Sequence, residues 1–212
     1  RTPFLLLTLP TNEKLAADIL SAGKKEFLEK GFQGASMRSI ASSLAVTTGA
    51  IYRYYTDKEA IFEALVEEPA KELADRYRES QQKFAKLSLK EQLEGLPDVA
   101  DHEYVWMVDY VYDHFDAFKL ITCCSTGTKY EYYLDTLIEI EVNASYLLME
   151  KMRQQGLNVL PLDDDMVHIL ASSLFNGMFE TVRHDTPKEK AVAYVDTLRI
   201  FYSAGWFKIL GI

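Results

Sequence analysis

Between positions 47 and 58 the sequence reads TTGAIYRYYTDK, which gathers hydroxyls, phenols, a guanidinium and an ammonium around a single carboxylate. A core would take apolar side chains at these places, and a flexible linker would take few aromatics. The chemistry such a set performs is contact with something outside the protein, and a polyanion suits it best. At the start of a short helix, the hydroxyls of Thr47 and Thr48 and the free N–H groups beside them would reach phosphates or base edges. Gly49 would remove a side chain where a duplex crowds the backbone. Tyr52, Arg53 and Tyr55 would present phenol and guanidinium groups, and Lys58 would add a phosphate contact at the head of the next helix. Tyr54 shares an inward face with Ile51 and reads as packing. Upstream, Ser36 and Arg38 open another short helix, placed to cross a phosphate backbone.

Other chemistries find no support in the sequence. His102, His114, His168 and His184 are scattered among acidic residues, and no pair has the short spacing of a zinc site. Asp101-His102-Glu103 and Asp113-His114 with Asp116 read as solvated charge. No Ser/His/Asp signature, phosphate-binding glycine loop or paired-carboxylate site stands out, so no catalytic residue, metal or cofactor is expected. The two cysteines, Cys123 and Cys124, are adjacent and too few to staple the chain. They point to a reducing, cytoplasmic setting and read as small apolar residues at a helix end.

The chain of 212 residues is 48% hydrophobic and 26% charged, enough for a substantial core. Its net charge of -9 argues against a globally basic nucleic-acid binder, but the charge is unevenly spread. Up to position 58 there are eight basic and five acidic residues, and beyond it 15 basic and 27 acidic ones. A polyanion should therefore meet the head of the chain. No apolar run approaches the roughly 18 to 20 residues of a membrane span, and the early PFLLLTLP is too short even for a convincing signal segment, so no membrane partner is expected.

Apolar residues recur almost everywhere at spacings of three and four, which predicts an all-α protein. A first helix runs over about 12–30, with Thr11 or Asn12 as cap and Gly31 as stop. Ser36 caps a second, short helix around Met37, Ile40, Ala41 and Leu44. Thr47 or Thr48 caps a third, reaching Tyr54 or Tyr55, and Thr56-Asp57 caps a fourth with Ile61, Phe62, Leu65 and Val66 inside. Two short helices joined by a tight turn and stacked on a longer one are the arrangement of a helix-turn-helix DNA reader. Further on, helical pattern breaks near Leu87-Ser88 and Pro97, runs on through DHEYVWMVDYVYDHFDAFKLI, breaks at CCSTGT, and continues from Tyr130 to Gln155. Two closing helices follow, over 163–184 and 186–210, with Pro187 at a helix start.

These residues resemble the TetR family of bacterial transcriptional regulators. The motif comprises Ser36, Ile40-Ala41, Thr47, Gly49, Ile51, Tyr52, Tyr54, Tyr55 and Lys58-Glu59, all at the family's spacing. One position departs from it: the turn residue that is usually Gly is Ala45 here, which a positive φ would strain. The likeness covers residues 10 to 66 by motif. It implies a helix-turn-helix DNA-binding domain over 10–56 and a helical effector-binding and dimerisation domain over 57–212. It further implies a homodimer through the last two helices.

Within the body, aromatic and methionine residues cluster, and Trp106, Met107, Tyr110, Tyr133, Phe175 and Phe179 are the candidates for a pocket holding a small apolar or aromatic effector. The last two helices carry more apolar surface than their own core needs, with Leu174 and Leu198 among the residues placed at a dimer contact. The resulting expectation is a cytoplasmic regulator, a repressor released from a palindromic double-stranded DNA operator by a small effector. The alternative is an all-helical ligand-carrier or interaction protein whose helix-turn-helix no longer reads DNA.

Overall fold

The computed structural model describes the backbone of residues 11–211, and the side chains of all of these except 11, 12, 96–101 and 164. The leading apolar decapeptide lies outside the described residues. Those described form nine α-helices and no strand. The N-terminal unit comprises α1 (Thr11–Gly34), α2 (Met37–Ser43) and α3 (Thr48–Ile51), closed by the first turns of α4 (Lys58–Ala85). Gly31 ends the regular part of α1 with φ 67, at the predicted stop. Ile19, Phe27, Ile40, Ile51, Ile61 and Phe62 are fully buried where the four helices meet. The rings of Phe27 and Phe62 meet edge-on at 5.2 Å between centroids. Helices α1 and α4 approach closely because Gly23 has no side chain: a Cβ there would stand 2.5 Å from the Ile61 Cγ2 methyl.

Helix α4 runs without interruption for 28 residues, through Pro69, and carries the chain from the N-terminal unit into the body. Asp57 starts it, its carboxylate accepting the Ala60 N–H at 2.8 Å. At 1.5 Å rise per residue it is about 42 Å long. The body is completed by α5 (Leu89–Asp113), α6 (Phe115–Cys124), α7 (Tyr133–Gln154), α8 (Asp164–Arg183) and α9 (Lys188–Leu210). Helix α7 lies between α4 and α8, α5 packs on α9, and α6 touches α1, α4 and α8, so it ties the N-terminal unit to the body. The Lys24 ammonium on α1 pairs with Asp116 on α6 across this junction.

Three predicted boundaries are corrected, the first being that of α3, which ends at Ile51 rather than at Tyr54 or Tyr55. Helix α5 passes through Pro97, where a break was expected. Proline removes one N–H from the ladder, and packing on α9 together with a Ser88–Glu91 capping box at its start outweighs that loss. Conversely, the stretch read as one helix from Asp101 to Ile121 is broken at His114, whose φ of -116 and ψ of 35 are not helical. Apolar residues at helical spacing on both sides of the bend hide it from a periodicity argument.

Candidate nucleic-acid interface

The N-terminal unit is held together from within in a way that sets the attitude of α2 and α3. Glu26, buried on α1, accepts hydrogen bonds from Lys30 at 2.9 Å and from the Ser39 hydroxyl of α2 at 2.9 Å. Burial works to raise the pKa of Glu26, but hydrogen bonds from Lys30 and Ser39 outweigh it and hold the carboxyl below its ordinary range. Ser36 caps α2, accepting the Ser39 N–H at 3.1 Å. Thr47 caps α3, accepting the Ala50 N–H at 3.2 Å, and its own O–H remains available as a donor. Between the helices the chain turns at Ala45, whose φ of 53 lies in the left-handed region, and the Val46 N–H returns to the Ala41 carbonyl at 3.1 Å. The alanine thus occupies the strained conformation that its position in the turn demands.

Ser36, Arg38, Thr47, Gly49, Tyr52 and Arg53 all reach the surface, and Thr48 is partly exposed. Tyr52 is 53% exposed at the end of α3, large for an aromatic that a small core could have used. A Cβ on Gly49 would meet only the Thr47 hydroxyl at 3.9 Å, so nothing inside the protein requires glycine there. Tyr55 differs from expectation: it is half-buried and packs against the core beside Tyr54, and burial pushes its phenol pKa up. Lys58 differs more. Its ammonium is bound to the carbonyls of Phe32, Gln33 and Ala35 at 2.7, 3.3 and 3.1 Å, and it lies over the Phe32 ring at 4.4 Å. It closes the C-terminal end of α1, where unpaired carbonyls attract a cation, so its three donors are committed inside the protein rather than offered to a phosphate.

In the body the six expected pocket residues do not line one ligand-sized space: Met107 and Phe179 border a common void of only about 10 Å³. Met107, Phe175 and Phe179 are core. The Tyr133 hydroxyl donates to the Ala70 carbonyl at 2.8 Å and Tyr110 to Glu72 at 2.9 Å, while Trp106 lies under the Arg76 guanidinium at 3.6 Å. A cavity of about 110 Å³ opens elsewhere, among α4, α5, α7 and α9, bordered by Tyr77, Glu103, Tyr104, Glu141, Ser203 and Trp206. Clustered aromatic residues fill the space they create, whereas a hollow forms where small side chains such as Ala144 and Ser145 face large ones. One sequence signal pointed to it: Glu141 stands in the buried stripe of α7 that Leu137, Ile138, Leu148 and Met149 define. Cys123 is exposed and Cys124 buried, both as free thiols, and no cluster of metal-binding side chains exists among the described residues.

Residues 19–65 match the model of a family described as bacterial regulatory proteins, tetR family. Over these residues the chain is similar to the TetR family. Within the same region it is 36% identical over 61 residues to the HTH-type transcriptional regulator UidR of Escherichia coli, covering 29% of this chain and 31% of that protein. It is 35% identical over 66 residues to the HTH-type transcriptional repressor AcnR of Corynebacterium glutamicum, covering 31% and 34%. These matches span about a third of the length of the curated relatives. The fold extends further than the sequence likeness. The transcriptional regulator FadR from Bacillus subtilis, solved in complex with stearoyl-CoA, superposes with a TM-score of 0.53 at 17% identity, covering 92% of this chain and 98% of that one. The helix-turn-helix unit is thus the part that resembles these proteins in sequence. The body is shared in fold alone, and no helix among the described residues is long and apolar enough to cross a membrane.

Proposed function

We propose that the protein is a homodimeric, ligand-responsive regulator that reads a double-stranded DNA operator and represses transcription until a small effector releases it. The observation that carries this reading is the surface of α2 and α3. Ser36, Arg38, Thr47, Gly49, Tyr52 and Arg53 converge on one exposed element pair whose orientation is fixed from inside by the Glu26–Ser39 and Lys58 contacts. Thr47, Thr48, Tyr52 and Arg53 supply contacts to base edges or phosphates, and Arg38 and Ser36 supply contacts to the backbone that α2 crosses. The division into a reader before residue 57 and an effector and dimerisation body after it is part of the same proposal, with α4 common to both.

Dimerisation through α8 and α9 is supported by the apolar side chains they leave exposed, among them Met166, Ile169, Tyr194, Ile200 and Phe201. A twofold dimer presents two copies of α3 to half-sites of an inverted repeat. The cavity is the effector site, since it borders the C-terminal half of α4, which runs unbroken into the reader. From Tyr77 to Lys58 along α4 is about 28 Å, and α6 packs against both α1 and α4. A ligand that shifts α4 changes the spacing of the two readers, and it regulates only by its differential affinity for the two dimer shapes.

Selection of binding sites from a random duplex pool tests the reading. The expected result is enrichment of an inverted repeat, with an affinity that falls steeply with added salt as phosphate contacts require. A protein that enriches no sequence and holds duplex with no salt dependence is a carrier or interaction protein instead.

A further inference from the structure

The cavity among α4, α5, α7 and α9 has a mostly apolar wall, with Phe84, Leu148, Trp206 and Phe207 facing it, and a polar side that is acidic. On α7, the Glu141 carboxylate accepts hydrogen bonds from the Tyr77 hydroxyl and, at 3.3 Å, from the Gln81 amide, both neutral donors from α4. On α5, Glu103 takes the Ser80 hydroxyl on Oε1 at 2.7 Å, and its Oε2 is buried without a hydrogen-bond partner among the described residues. Among the described residues, no lysine or arginine borders the cavity. Arg199 on α9 acts on Tyr104 and is hydrogen-bonded to Asp196 of its own helix at 2.8 Å.

Desolvation penalises a carboxylate that has no opposite charge beside it. Glu141 carries that penalty, since burial raises its pKa and the hydrogen bond from Tyr77 opposes the rise without reversing it. A ligand carrying a carboxylate or phosphate would bring a further negative charge to this side of the cavity and leave Glu103 Oε2 unpaired. A neutral apolar ligand would also leave it unpaired. A ligand with a positive N–H head supplies both missing terms, the counter-charge and the donor. The volume of about 110 Å³ is of the same order as the roughly 150 Å³ of a cavity that holds benzene, and one side opens to the surface, so the site takes a single ring with a short polar head and nothing larger.

We propose that this cavity selects small organic ammonium compounds, with Glu141 and Glu103 holding the charged head and Trp206 and Leu148 flanking the apolar part. The proposal rests on reading the cavity as the effector site, and it narrows the ligand to a cation, where the sequence suggests an apolar or aromatic molecule and an acidic body that would also tolerate a cation.

Titration calorimetry of the full chain with benzylamine, benzyl alcohol and benzoate tests it, because the three share a ring and differ in the charge of the head. The expected result is that benzylamine binds at least tenfold more tightly than benzyl alcohol and that benzoate does not bind. In Glu141→Gln, an isosteric change, that preference should collapse to within about threefold while the affinity for benzyl alcohol stays as it was. Glu103→Gln should narrow the preference independently, and it carries the test if Glu141→Gln melts below the assay temperature. Benzyl alcohol or benzoate binding as tightly as benzylamine overturns the ammonium class and leaves the effector cavity standing. A preference that survives both substitutions overturns the assignment to these carboxylates. Binding of none of the three compounds removes the proposal and the effector site together.

Discussion

Two residues of the same short motif, Tyr52 and Lys58, have opposite uses, and mutation separates them. Tyr52 is exposed and ends α3, so Tyr52→Ala should weaken operator binding by about 1–3 kcal/mol and leave the unfolding midpoint where it was. Lys58 holds three carbonyls at the end of α1, so Lys58→Met should lower stability by about 1–3 kcal/mol. The slope of log affinity against log salt should stay that of the wild type, because no phosphate contact is lost. Thermal melts and salt titrations of both variants decide the matter; a shallower salt slope for the Lys58 variant would return that residue to the DNA. Glu26 gives a pH prediction. Its folded pKa is held below the ordinary 4.5, so its contribution is complete above that value and is lost as pH falls through the depressed one. Glu26→Gln should therefore flatten the acid limb of the stability profile, and acid titrations of the two proteins that run parallel would contradict the network described.

At the scale of elements, the turn between α2 and α3 combines a fixed geometry with an unfavourable residue. Ala45 sits at φ 53, where an L side chain crowds the following carbonyl and glycine does not. Ala45→Gly should stabilise the protein by about 1 kcal/mol, less the entropy glycine gains in the unfolded chain, and raise the melting temperature by roughly 2–4 °C at most. A lower melting temperature would mean that the turn relaxes without strain in solution. This turn was legible in the sequence because its determinants are local: Ser36, Thr47 and Asp57 cap helices within three residues of themselves, and Gly31 stops one. The bend at His114 was not legible, since the stripes of α5 and α6 run into each other with no glycine or proline between them. The cavity was least legible of all. It is bordered by both Tyr77 and Trp206, more than a hundred positions apart, and depends on small side chains leaving space, a property that no spacing along one helix reports.

For the whole molecule the question is which apolar residues hold the protomer together and which hold the pair. The sequence placed Leu174 at the contact between copies. At 2% exposure it belongs instead to the protomer's own core, and a charge there would unfold the chain rather than split a dimer. Leu198 is likewise occupied, with its methyl group 3.3 Å from where a Cβ on Gly177 would lie, so it joins α9 to α8 within one chain. Ile169 and Phe201 are 53% and 71% exposed on those same two helices, and a carboxylate at either would stand in water in the monomer. The double variant Ile169→Glu, Phe201→Glu should therefore keep the wild-type circular dichroism and sediment as a monomer at micromolar concentration. Two pairs of carboxylates facing each other across a twofold axis would have to be desolvated for the dimer to form. Operator binding should fall more than any single contact explains, because a monomer reaches one half-site and loses the effective concentration that links the second to it. A duplex carrying one half-site should then bind the variant and the wild-type protomer alike. Were the double variant to sediment as a dimer and hold the full operator at wild-type affinity, the pair would be joined by a surface other than α8 and α9.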